Sequence, residues 1–249
     1  MRLGIVGGIH EDIVGLRSAI ALLRARGCAA IACTGDIVGF AAPYFRFGTR
    51  DAGACIDLVR AECRWVVAGN HDLFAVKRLP TASAFAYPAD WYARPIEERR
   101  ELANGNVWLH DDDAPISLAT DHAAYLSALP EKVVAEIGAV RVLISHYAAP
   151  NLTGDGTEFD TVEDGIAEHL AEMSASGCSV AVFDHDLCGG VRLFTAGGCL
   201  ERPFGRSALP AEPVAIEGPW VADGTEPSGV LIVDFETWAV EALPLKPGT

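Results

Sequence analysis

The stretch Ala30-Ile31-Ala32-Cys33-Thr34-Gly35-Asp36-Ile37-Val38-Gly39 starts as a short apolar run and breaks into a turn that carries one carboxylate. Such a run, without polar alternation, reads as a strand buried on both faces. The same form occurs on either side of it. Leu3-Gly4-Ile5-Val6 breaks into Gly7-Gly8-Ile9-His10, and Trp65-Val66-Val67-Ala68 breaks into Gly69-Asn70-His71-Asp72. Between the runs, Ile13, Leu16, Ile20 and Leu23 recur at helical spacing and stop at Gly27, and Cys55, Ile56, Val59 and Cys63 form a second stripe. Strands alternating with helices predict a parallel sheet with helices packed on it, a class in which ligands gather at the carboxyl ends of the strands.

Further along, apolar runs at 140–144 and 180–183 flank a helical stripe of Val162, Ile166, Leu170 and Met173. Strands are also expected at 191–194, 213–216, 230–235 and 239–243. With no helices between them, they are predicted to pair locally and largely antiparallel. From about 73 to 124 the rhythm is broken by Pro80, Pro88 and Pro95 and by a run of aromatic residues, which reads as a helical and loop insertion in a single domain spanning 1–249.

The formal charge of −15 and the pI near 4.8 argue against nucleic acid and anionic membranes as partners. Seven cysteines without a CxxC pair signal neither a disulfide framework nor a zinc ribbon, and fit small core residues in a reducing cytoplasm. The apolar run behind Arg2 is too short for a signal peptide, and no stretch approaches the ~20 apolar residues of a membrane span.

The polar residues fall at the strand ends: His10, Asp36, Asn70-His71-Asp72, Ser145-His146 and Asp184-His185-Asp186. Imidazole, carboxylate and amide oxygen together suit divalent Mn, Fe, Zn or Ni, and one carboxylate can bridge two ions. Other polar groups read as structural. His110 with Asp111, Asp112 and Asp113 forms a solvated loop, His122 begins an exposed helix, His169 sits at the edge of a core, and Arg99 and Arg100 lie on a solvated helix face.

In their order and context, Gly35-Asp36-Ile37-Val38-Gly39, Gly69-Asn70-His71-Asp72, Ser145-His146, and more weakly His10 and His185, resemble the calcineurin-like metallophosphoesterases, over residues 1 to about 195. The resemblance implies an α/β fold built as a two-layered β-sheet sandwich flanked by helices. It also implies hydrolysis of phosphomonoesters or phosphodiesters of small phosphorylated substrates by metal-activated water. In its terms Asp36 bridges two ions, and Asn70, His146 and His185 complete one of them. His71 contacts phosphate or protonates the leaving oxygen, with Asp72 orienting its ring. The other ion is poorly served. Gly8 stands where the family has an aspartate and Leu187 where it has a histidine, which leaves that ion only His10 and Asp36. One well-held divalent transition metal and a weak second are therefore expected, unless Glu11, Asp12, Asp184 or Asp186 substitutes. A fold retained for binding or scaffolding after the loss of catalysis is the alternative, and a sensor that binds a nucleotide or phosphate without turnover is a third.

Overall fold

The computed structural model describes residues 1–157, 162–186 and 188–245, and the side chains of 162–165 lie outside that description. The first half of the chain runs β1 (Arg2–Val6), α1 (Ile13–Ala25), β2 (Ala30–Cys33), α2 (Ala52–Glu62), β3 (Trp65–Val66), α3 (Asn70–Ala75), a 3-10 turn at Trp91–Ala93, α4 (Ile96–Ala103) and α5 (Thr120–Ala128). The second runs β4 (Lys132–Ile137), β5 (Val140–Ser145), α6 (Val162–Ala175), β6 (Val180–Phe183), β7 (Gly190–Thr195), β8 (Gly198–Pro203), β9 (Gly205–Ala208), β10 (Val214–Glu217), β11 (Gly229–Asp234) and β12 (Ala239–Pro244).

These strands form two six-stranded mixed sheets, ordered β3-β2-β1-β11-β12-β9 and β4-β5-β6-β10-β7-β8. Side chains alternate across each strand, so successive residues serve different layers. Leu3, Ile5 and Ala32 of the first sheet meet Val142, Ile144, Val180 and Val182 of the second. Val6, Ile31 and Cys33 turn the other way, onto Leu16 and Leu23 of α1 and Ile56 and Val59 of α2. On the far side Leu143, Ala181 and Phe183 pack on Ile166 and Met173 of α6. A strand covered on both faces needs no polar alternation, which is why these runs read as uniformly apolar. The result is the predicted two-layered sandwich flanked by helices.

The helices start where their sequences allow. Asp12 caps α1 by accepting from Gly15 N at 2.8 Å, and Asp51 caps α2 by accepting from Ala54 N at 2.9 Å. Of the α6 stripe, Ile166 and Met173 are buried, and the Val162 side chain lies outside the described residues.

The expected local, largely antiparallel pairing of the tail strands holds for β7 with β10 and β11 with β12, but it is incomplete. β11–β12 and β7–β8 are antiparallel neighbours, but β11 also pairs antiparallel with β1, and β10 pairs parallel with β6. Every residue of β10 and β11 is buried, so each strand needs a partner on both edges, and those edges were supplied by distant segments. The strands β8 and β9 carry no buried periodic run, whereas β4 turns Val133, Ala135 and Ile137 onto the sandwich core. β8 is almost wholly exposed, and no apolar pattern announced it.

Within 73–124 lie the end of α3, the 3-10 turn, α4 and the start of α5. This segment packs Phe85, Tyr87 and Tyr92 around the buried Trp91. It is tied to the rest by Asp155, which accepts from Ser83 Oγ at 2.6 Å and Tyr87 Oη at 2.9 Å.

Candidate metal centre

The loops leaving β1 and β2 are sewn together. The amides of Ile9 and His10 both donate to the Asp36 carbonyl, at 2.8 and 2.9 Å, and Glu11 N donates to Ile37 O at 3.0 Å. These bonds hold His10, Glu11 and Asp36 at positive φ (47°, 72° and 52°). Each such non-glycine residue costs on the order of 1–3 kcal/mol and persists only where its surroundings enforce it. The effect is to aim His10 and Asp36 at one point. Gly69 is required beside them, because a Cβ there would lie 2.1 Å from Asp36 Oδ1.

Asp36 Oδ2 lies 3.2 Å from His146 Nε2 and 3.7 Å from His10 Nε2, and His146 Nε2 is 3.0 Å from His185 Nδ1. His10, Asp36 and His71 form one group, and Asp36, His146 and His185 another, with ligand atoms within 4.8 Å of one another in each. Asn70, in the first turn of α3, lines the same cavity as His10, Asp36, His71 and His185. His10, Asp36, Asn70 and His146 are all at most 4% exposed.

His10 Nδ1 lies 2.7 Å from Gly39 O, a geometry that assigns the proton to Nδ1 and leaves a lone pair on Nε2. That Nε2 and Asn70 Oδ1 are both buried without a hydrogen-bond partner. Likewise His146 Nδ1, 2.9 Å from Thr34 O and 3.0 Å from Asp184 Oδ1, is a donor, and its Nε2, between Asp36 Oδ2 at 3.2 Å and His185 Nδ1 at 3.0 Å, holds either a proton or a metal ion. Buried acceptors converging without donors call for a proton or a cation between them. The set fits a divalent metal ion.

Burial drives His10 down to about 3, beyond what the Asp36 charge restores, and it also lowers His185, so both rings are neutral and able to ligate. His146 is raised: burial pulls it down, and Asp36 and Asp184 outweigh that pull. Asp36 stays well below the usual carboxylate range, since the facing imidazoles His146 and His71 overcome its desolvation.

Two expectations about the neighbouring residues are corrected. Asp72 does not orient His71; its carboxylate accepts from the amides of Ile37, Val38 and Gly69 at 2.9, 3.2 and 3.1 Å, and so holds the turn that presents Asp36. The ring partner of His71 is Asp113, whose Oδ2 lies 2.7 Å from His71 Nδ1. His110 and Asp113 are therefore no solvated loop. Their side chains are 8% and 5% exposed, and the His110 ring meets that of His71 edge-on at 4.5 Å. They arrive from the 73–124 segment, where no strand end marked them. The one signal was a histidine beside three consecutive aspartates. Arg100, by contrast, pairs at the surface with Asp111, as a solvated face should, and His169 is fully buried in its core.

Gly8 has φ +52°, and a Cβ there would come within 2.5 Å of Trp220 Cγ. The indole thus fills the space an aspartate would need. Three proposed substitutes are engaged elsewhere. Glu11 takes a two-pronged bond from Arg50 at 3.0 and 2.8 Å, Asp12 caps α1, and Asp184 sits on the Nδ1 side of His146, away from Asp36. Asp186 faces the cavity, 3.7 Å from Arg192. Leu187 lies outside the described residues. The cavity at the cluster is about 440 Å³ and is lined by His10, Asp36, Asn70, His71 and His185 together with the aromatic residues Tyr44, Phe45, Trp108 and Trp220.

A two-layered sandwich with carboxylate, amide and imidazoles converging from adjacent strand ends defines the calcineurin-like metallophosphoesterase fold, and this chain has it. It is similar to the metallophosphoesterase of Sphaerobacter thermophilus, at 18% identity and a TM-score of 0.65, covering 100% of this chain and 90% of that one. It is also similar to a hypothetical protein of Pyrococcus horikoshii, at 16% identity and a TM-score of 0.60, covering 100% and 89%. No family model matches the chain, and no curated protein does.

Proposed function

We propose that the protein is a metal-dependent phosphoesterase acting on small phosphorylated substrates, with one divalent transition metal, Mn, Fe, Zn or Ni, held by Asp36, Asn70, His146 and His185. The observation that carries this reading is the Asp36, His146 and His185 cluster, with the buried, unpartnered Asn70 Oδ1 on the same cavity wall as Asp36. The ion, when bound, supplies a Lewis acid that polarises the phosphoryl oxygen and offsets its developing charge. The chain supplies the rest. His71, with Nδ1 engaged by Asp113, presents Nε2 to the leaving oxygen as proton donor. Burial lowers this ring, but Asp36 and Asp113 raise it further, to about 9, so it is protonated at neutral pH. Asp72 holds the turn that carries Asp36, and Tyr44, Phe45, Trp108 and Trp220 give the cavity apolar walls.

On this reading residues 1–249 act as a single catalytic unit, to which the 73–124 segment contributes His110 and Asp113. Seven free cysteines support a reducing, cytoplasmic setting. Among the described residues no helix is long and apolar enough to cross a membrane.

A second reading, an inactive binding or scaffold protein, is favoured by Trp220 occupying the place of the missing carboxylate at Gly8. The two readings separate on one measurement: turnover of p-nitrophenyl phosphate and bis-p-nitrophenyl phosphate with added Mn²⁺, in wild type, Asp36→Asn and His146→Ala. Metal-dependent turnover lost in both variants supports the enzyme. Turnover that is absent, or unchanged by the substitutions, overturns it.

A further inference from the structure

We infer that His71, His110 and Asp113 form a second divalent metal site, of the zinc-binding two-histidine, one-carboxylate type, on the cavity wall contributed by the 73–124 segment. The three ligand atoms lie within 4.8 Å of one another. Asp113 Oδ2 is 2.7 Å from His71 Nδ1 and 3.8 Å from His110 Nδ1. Ligands about 2.1 Å from a tetrahedral ion stand about 3.4 Å apart, a spacing between those two distances. Small movements of the two rings therefore complete the site without any change of backbone.

Two further observations point to a ligand there. Asp113 Oδ1 is buried with no hydrogen-bond partner, on a side chain only 5% exposed. Among the described residues, the ion-pair partners of Asp113 are these two histidines, with no lysine or arginine to balance its charge. His110 is held in place at φ +54°, with its ring edge-on to that of His71 at 4.5 Å. Three protein ligands leave one position open toward the cavity, the arrangement of sites that exchange a ligand rather than of closed structural ones. An ion on His71 Nδ1 displaces to solvent the proton that Asp113 accepts in the metal-free protein, and the remaining ring proton stays on Nε2, so His71 is still a hydrogen-bond donor at the same place.

The site draws no ligand from Gly8 or Trp220, so it does not depend on restoring the missing aspartate. Nor does it depend on the protein hydrolysing anything.

The test is to strip the purified protein with chelator, reload it with Zn²⁺, dialyse, and count bound zinc in wild type, His110→Ala and Asp113→Asn, with circular dichroism confirming the fold of each. Zn²⁺-soaked wild-type crystals locate the ions by anomalous scattering. The expected result is two zinc ions in wild type and one in each variant, with an anomalous peak among His71, His110 and Asp113. A single ion in wild type that is lost in the variants supports this site and overturns the one built on Asp36, Asn70, His146 and His185. An unchanged zinc count in Asp113→Asn, the isosteric variant, or no peak among the three side chains, overturns the inference.

Discussion

The Trp220 indole packs on Gly8 so closely that a Cβ at that residue would sit 2.5 Å from Trp220 Cγ, and the same indole lies 5.2 Å from the His10 ring. The missing carboxylate of the first motif is thus a vacated place that a bulky side chain has taken. Restoring the carboxylate alone should fail. Gly8→Asp must adopt φ +52° and displace the indole, and is expected to lower stability by about 2 kcal/mol with no gain in bound metal. Only the double variant Gly8→Asp, Trp220→Ala should gain metal affinity. Thermal melts and metal counts on the two variants check this, and an ion gained by Gly8→Asp alone would refute it.

Glu11 is a structural residue, and its removal separates stability from metal binding. Its carboxylate accepts from Arg50 and from Gly39 N. Glu11→Ala leaves these donors unsatisfied, with Arg50 about a third exposed and so partly compensated by water. A loss of roughly 1–3 kcal/mol is expected in denaturant unfolding of the apoprotein. Metal stoichiometry should not change. A lost ion would return Glu11 to the ligand set.

Asp113 should matter most where the leaving group is poor. If Asp113 holds His71 as proton donor, Asp113→Asn slows alkyl phosphoesters by on the order of 10²-fold while p-nitrophenyl esters, which leave unaided, are far less affected. An equal loss on both substrates would deny His71 that role.

His169 predicts a pH dependence outside the metal centre. Its Nδ1 accepts from Ala149 N at 3.0 Å, and burial lowers it from the ordinary 6.5 to about 4. The unfolded chain takes up this proton below pH 6.5 and the folded chain only below about 4. The contribution is therefore complete above pH 6.5 and lost as pH falls toward 4, about 3 kcal/mol in all. Unfolding of the chelated protein should be shallower in pH for His169→Gln than for wild type across that window, and identical slopes would contradict the assignment.

Most of the candidate ligand set was legible because strand ends advertise themselves. A buried run such as Ala30–Cys33 terminates in a turn, and a polar side chain placed there has few uses in a core. Asp36, Asn70, His146 and His185 each follow such a run. Asp113 and His110 do not. They come from a segment with no period, and their burial results from contacts with His71 and Phe74 that are distant in sequence.

Alternation of apolar runs with helical stripes determined from sequence alone that strands and helices would layer, and the residue types at the run ends determined that metal-ligating groups would collect at one edge. Both are local properties, set by which side chains must leave water and which backbone turns admit a polar residue. Tertiary structure alone decided which distant strands meet, as β10 with β6 and β11 with β1. It also decided that Asp72 serves the backbone while Asp113 serves His71, and that Trp220 fills the space at Gly8. Long-range pairing and steric exclusion depend on where remote segments arrive, and no local pattern of residues encodes that arrival.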